Sequence, residues 1–322
     1  MKAQILTTKI TTAITTATLL TAFSGVLSAA DPQLLNLVMP DAKVLAGVNV
    51  EQAKGTQFGQ YVLNQMQSQD ADMRQLIALT GFDPTRDVRE LLVATTGGAS
   101  SHTGLALASG NFDAARITAA ATGHGAVIEE YNGVNILKDP KKTAGMAFLD
   151  ATTVVAGDIP SVKGAIDRRK TVQSLPAAVM VKVNQWSYAQ DAWAISTVPP
   201  TSLAPANAIK APHEPNPMAT AFQNVQQAAG GVKFGALVVF SGEAVADTAA
   251  SATSMGDVLK LLVNLAQMQA GQDQQLATLA KSVAITTSGE TLKVSLSLPQ
   301  EQFQQLLDHV HGKKGAARLH RQ

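Results

Sequence analysis

The chain has no cysteine. That absence excludes disulfides, thiolate zinc sites, a cysteine nucleophile and a lipid-modified N-terminal cysteine. Aromatic residues are few, with 2 Trp, 3 Tyr and 9 Phe, so no aromatic-lined groove for nucleic acid or sugar stands out. Charge is sparse too. Charged residues make up 15% of the chain, against about 25% in a typical soluble protein. The formal net charge of +1 argues against a strongly basic nucleic-acid binder. Beyond the first thirty residues no segment approaches the roughly 18 unbroken apolar residues of a membrane-spanning helix. What is present is ordinary hydrophobic content, 46% of 322 residues, enough to bury a core in one large or two average domains.

The first thirty residues read as an export leader. Lys2 and Lys9 give a positive start, and Ile10 to Ala30 carries no charge. The apolar centre Leu19-Leu20-Thr21-Ala22-Phe23 leads into Ser28-Ala29-Ala30, where cleavage after Ala30 satisfies the small-residue rule at −1 and −3. An uncleaved anchor is the competing reading, and the threonines scattered through the stretch weaken it as a span. Removing residues 1–30 takes Lys2 and Lys9 with them and turns the net charge to −1. The end of the chain, 312–322, holds Lys313, Lys314, Arg318 and Arg321 and no acid. It reads as a basic, solvated, disordered tail.

Between these ends the pattern alternates short strands and helices. Val44–Val50 is β-branched and apolar and reads as a strand. Two helical stretches follow, in which Tyr61, Val62 and Met66 and then Met73, Leu76 and Ile77 recur at helical spacing, and Gly81-Phe82-Asp83-Pro84 breaks the second. Strands follow at 91–96 and 105–108, then an Ala-rich helix over 112–122. Further strands read at 126–131 and 134–137, joined by Asn132-Gly133, a strong two-residue hairpin turn. Met146–Asp150 and Thr153–Ala156 form another hairpin, and Asp158 reads as the cap of the helix carrying Ile159, Val162 and Ile166. Ser174-Leu175-Pro176 opens a helix, and Trp193-Ala194-Ile195 is a strand.

Residues 199–217 hold six of the 13 prolines, so they form a connector rather than helix or central strand. A helix is expected over 218–229 and a buried strand over 232–240. Val258, Leu261, Leu262, Leu265 and Met268 make a long apolar helical stripe that reads as core. Phe303, Leu306, Leu307 and Val310 repeat at i, i+3, i+4, i+7, an amphipathic helix. Leu105–Gly110 plus a helix echoes Leu237–Gly242 plus a helix, and the hairpin–helix unit over 146–169 echoes 283–310. Two related halves are one explanation; the commonness of hairpin–helix units is the other.

The search for chemistry finds no assembled motif. There is no phosphate-cradling Gly-x-x-x-x-Gly-Lys-Ser/Thr loop. Gly123-His124-Gly125 lacks the third glycine of a dinucleotide fingerprint, and in Gly98-Ala99-Ser100-Ser101-His102 a histidine replaces the second glycine of a nucleophile elbow. His309 and His311, with Asp308 beside them and His320 further on, stand two apart on a helix, where side chains diverge, rather than four apart; His213-Glu214 has no second ligand nearby, and His102 and His124 sit in Gly-containing turns and read as solvent-exposed. Glu129 and Glu130 alternate sides of a strand. Asp83 and Asp87, with Arg86 or Arg89, read as a loop-organising cluster. No residue is therefore assigned a catalytic, cofactor-binding or metal-ligating role, and no cofactor is implied.

Gly145-Met-Ala-Phe-Leu-Asp150-Ala-Thr-Thr-Val-Val-Ala-Gly157-Asp158 and Val162–Asp167 resemble a pattern in uncharacterised exported bacterial proteins. In that group a Phe-Leu-Asp … Val-Val-Gly-Asp hairpin precedes a helix, and Ser282–Pro299 looks like their C-terminal ending. The resemblance implies export and α+β architecture and carries over no functional residue.

The expectation is an α+β protein of antiparallel sheets covered by helices, organised as leader 1–30, halves 31–190 and 191–311, and tail 312–322. The leading function is a noncatalytic envelope or extracellular protein that binds a partner. The first alternative is a carrier of an apolar or lipid-like ligand, whose pocket the 258–268 stripe would line. The second is an exported hydrolase without a recognisable motif.

Overall fold

The computed structural model describes residues 30–57, 59–61, 71–97, 103–171, 175–199, 222–269 and 274–305. In chain order the first part contains α1 (Pro32–Leu37), β1 (Val44–Asn49), α2 (Val50–Lys54), α3 (Ala71–Thr80), α4 (Pro84–Asp87), β2 (Val88–Thr95) and β3 (Gly104–Gly110). There follow α5 (Ala114–Gly123), β4 (Val127–Tyr131), β5 (Val134–Lys138), β6 (Ala144–Phe148), β7 (Thr153–Asp158), α6 (Ile159–Arg168) and α7 (Ala177–Ala189). The second part contains β8 (Ala192–Ser196), β9 (Val225–Lys233), β10 (Leu237–Ala246), α8 (Ala249–Gln269), α9 (Gln274–Lys281), β11 (Val283–Ser288) and β12 (Thr291–Pro299). A helical turn over 300–305 ends the described chain.

The chain is α+β. All twelve strands join in one open antiparallel sheet, in the order β11-β12-β10-β9-β8-β1-β2-β3-β7-β6-β5-β4. The sheets expected separately are thus continuous through β1 and β8, which pair with Ala46 opposite Ala194. On one side of that seam the order runs β1-β2-β3-β7-β6; on the other it runs β8-β9-β10-β12-β11, the same path. The β4–β5 hairpin extends the first side alone, turning through Asn132 and Gly133 at φ 49° and 77°. That left-handed pair is the turn whose twist matches the strands it joins.

Helices cover both faces of the first side, so β3 and β7 at its middle are buried on both faces, whereas β4 at its edge is largely exposed. Leu105 and Leu107 of β3 point into a core with Leu34, Leu92, Val155, Val162, Ile166 and Trp193, under α1, α6 and α7. Ala106 and Ala108 point the opposite way, toward Phe82, Phe112, Ile117 and Met146, under α3 and α5. Close approach also matters at the seam, where a Cβ on Gly47 would lie 2.7 Å from the Trp193 indole. On the second side β12 alternates. Leu292 and Val294 pack with α8, whereas Lys293, Ser295 and Ser297 take the opposite face.

Two sequence expectations fail here. The helix expected over 218–229 is, in its described part, a short 3-10 turn at Phe222–Asn224 and then strand β9. Gln226 to Ala229 have good helix propensity, but β8 and β10 offer ladder partners on both edges, and Gly230-Gly231 penalises a helix. The single strand expected over 232–240 is the β9–β10 hairpin, broken at Phe234, whose amide donates to Asp191 Oδ2 at 2.9 Å. Residue 174, expected as a cap, lies outside the described residues; α7 starts after Pro176 without a side-chain cap. Asp158, in contrast, caps α6 as expected, accepting the Ser161 amide at 2.9 Å.

Candidate interaction surface

Helix α8 starts with Thr248 accepting the Ser251 amide at 3.1 Å. Its first turns seat Ala252 and Met255, both fully buried, against Leu292 and Val225 of the sheet. From Val258 onward the helix carries a second apolar face, and this one points away from the sheet. Leu261 is 58% exposed, Leu262 39%, Leu265 42% and Met268 78%. The stripe expected to be core is therefore a ridge on the surface. Periodicity reports that a helix has an apolar face, and α8 has two; only the sheet decides which of them it covers.

Leu261, Leu265 and Met268 fall at i, i+4 and i+7, the spacing of a helix that lies in an apolar groove. Together with Leu262 they expose on the order of 400 Å², the size of the largest apolar patch on a typical monomer, which is often functional. The only charges on α8 are Asp257 and Lys260, which face each other at 3.4 Å. The helix thus offers neither net charge nor a basic flank.

A concavity of about 430 Å³ lies between the ends of α3 and α4 and the start of α5. Phe82 and Phe112, 5.8 Å apart between ring centroids, form its apolar floor. Arg86, Asp87 and Asp113 of its lining hold the surrounding loops. Arg86 forks onto Asp87 at 2.6 and 2.7 Å and donates to the Gly81 carbonyl at 2.8 Å. Burial pushes the Asp87 carboxyl up, but the Arg86 pair and the Asp83 amide outweigh it and hold the group below the usual carboxylate range. Asp83 caps α4 through the Thr85 amide, and Asp113 caps α5 through the Arg116 amide. The Asp83–Arg86–Asp87 cluster organises a loop, as its spacing suggested. The 258–268 stripe does not line this cleft.

The remaining singled-out residues are dispersed. Glu129 is held by Lys138 and Lys163, whose ammonium groups lower its carboxyl to about 2, while Glu130 is exposed. His124 is half-buried rather than merely solvent-facing: its Nδ1 lies 2.7 Å from the Ala120 carbonyl at the end of α5. His102, His213, His309, His311 and His320 lie outside the described residues. Among the described residues no three His, Asp or Glu side chains lie together as a metal site, and no helix is long and apolar enough to cross a membrane. Sequence reasoning passed over Glu90 altogether, a largely buried carboxyl on β2; a lone Glu in an apolar strand was the available signal.

These features define an α+β protein built on one open twelve-stranded sheet, with one helix face left uncovered. In fold the chain is similar to the protein TP0453, whose crystal form III aligns with a TM-score of 0.54 at 10% identity, over 87% of this chain and 99% of that one. Crystal form I gives 0.51 at 10% identity over 88% and 98%, and crystal form IV gives 0.50 at 9% over 88% and 99%. At such identities the likeness is one of fold. No protein-family model and no curated protein matches the chain.

Proposed function

We propose that this is an exported, noncatalytic envelope or extracellular protein that works by inserting the outer face of α8 into an apolar groove of a protein partner. The observation that carries the reading is the exposed ridge of Leu261, Leu262, Leu265 and Met268. A protein groove is favoured over an anionic lipid surface because a helix that lies on such a surface is rich in Lys and Arg on its polar face. Helix α8 has one lysine, and an aspartate faces it. Export rests on the charge and small-residue pattern of residues 1–30 and on the likeness of the 145–158 hairpin to exported bacterial proteins. The repeated strand path on either side of β1 and β8 supports two halves that arose by duplication.

The test is to purify the protein from its own envelope or medium with and without paired Leu261→Glu and Leu265→Glu substitutions. The expected result is a stoichiometric protein complex, seen by native mass spectrometry, that the substitutions dissolve while circular dichroism stays unchanged. A wild-type chain that is free and monomeric, or that instead floats with neutral lipid vesicles, overturns the reading.

A further inference from the structure

We propose that the largely buried Glu90 is the receptor for the chain's own new N-terminus, forming an ion pair with the α-ammonium of Asp31 once the leader is removed after Ala30. The inference rests on the cleavage reading and goes beyond it. The Asp31 nitrogen lies 3.0 Å from Glu90 Oε1. Its position is fixed by the rest of the residue: Asp31 Oδ1 accepts the Gln33 amide at 2.8 Å, and its carbonyl accepts the Leu35 amide at 3.0 Å. Helix α1, which follows, anchors the site with Leu34 fully buried and Leu35 and Leu37 nearly so.

While residue 30 is attached, the donor to Glu90 is a neutral peptide N–H. Burial then pushes the Glu90 carboxyl up to about 7, assisted by the neighbouring Asp31 carboxylate and opposed by the Asp31 amide. The strand residues paired with Glu90 are Asn49 of β1 and Ser109 of β3, neither of them charged. Hydrolysis of the Ala30–Asp31 bond by a leader peptidase consumes one water. Ala30 leaves with the new carboxylate, and Asp31 keeps its nitrogen as an amine that takes up a proton at neutral pH. The same atom that donated as a neutral amide then carries the positive charge the buried carboxylate lacks. Ala30 is itself only 6% exposed, which favours a cut made before α1 docks. Processing and folding would thus be ordered: leader removal first, then closure of α1 over the pair.

The test first sequences the N-terminus of the exported full-length chain. Forms beginning at Asp31 and at Ala30 are then released from a cleavable fusion, each with Glu90 and with Glu90→Gln. The expected result is an exported chain starting at Asp31, and a Glu90→Gln loss of Tm larger by roughly 4 °C in the Asp31 form than in the Ala30 form. Should the variant fail to fold, the wild-type α-amine is titrated by NMR after isotopic reductive methylation, with a midpoint above the usual value of about 8 expected. A different N-terminus overturns the cleavage reading. The Asp31 terminus with equal losses in both forms, or with an ordinary α-amine midpoint, overturns the ion pair alone.

Discussion

In the form of the chain that retains Ala30, Glu90 should make stability fall as pH rises. Its carboxyl, ordinarily near 4.5, is raised to about 7 in the fold, burial being the largest cause. A raised folded value means that the native state binds the proton more tightly than the unfolded state does. The resulting stabilisation is full below 4.5 and is lost as pH rises through about 7. A shift of that size corresponds to about 3 kcal/mol, a sizeable share of the roughly 5–15 kcal/mol that holds a domain folded. Urea unfolding followed by tryptophan fluorescence suits the measurement, because Trp186 and Trp193 are both buried in the core that α1 helps to close. Other groups titrate over the same range, so the quantity to follow is the difference between wild type and Glu90→Gln, which cannot ionise there. That difference should shrink by about 3 kcal/mol in favour of the variant between pH 4 and pH 8. A difference that stays flat across the range would refute the reasoning, since a carboxyl solvated in the fold would titrate alike in both states.

Other outcomes follow from single contacts. Asp158→Ala should cost about 1–3 kcal/mol in urea unfolding, because it strips the cap from α6 and removes the acceptor of the Gly104 amide at 2.8 Å. Gly47→Ala should cost about 1–3 kcal/mol and shift tryptophan emission, since the added methyl would lie 2.7 Å from the Trp193 ring. The Glu129 carboxyl should stay ionised down to about pH 2 in a carbonyl NMR titration, its contribution being lost only as pH falls from 4.5 through that value; a midpoint near 4.5 would mean that solvent screens both lysines. Leu265→Gln with Met268→Gln should leave the urea midpoint within experimental error while raising solubility, because both side chains are exposed; a large loss of stability would place the ridge in contact with the rest of the chain.

Local signals that require no partner were legible. Asn132-Gly133 announces its hairpin because few other pairs tolerate φ 49° and 77°. Asp158 announces the start of α6 because its carboxylate can reach the helix's free amides. Strands β2, β3, β6 and β7 were recoverable from apolar runs between turn residues. The errors fall where neighbours overrule propensity. Residues 226–229 resemble a helix until β10 pairs with Gln227, Ala228 and Ala229 and β8 pairs with Ala228 and Ala229. The stripe on α8 was recognised, but its side was misjudged, because a helix wheel holds no information on what lies opposite it. Glu90 was missed because its neighbour Asp31 is 59 residues away in sequence.

By itself the sequence determined what depends on nearest neighbours and on totals: the exclusion of thiol chemistry, the capped helices, the tight turns, the leader pattern and the α+β class. Only the tertiary structure decided what depends on distant surfaces meeting. It joined both halves of the chain into one sheet through β1 and β8, left one apolar face of α8 in solvent, and set the Asp31 nitrogen against a carboxyl on β2. The physical reason is that hydrogen-bonding and steric preferences act over a few residues, whereas burial is assigned collectively, once every element competes for the same limited interior.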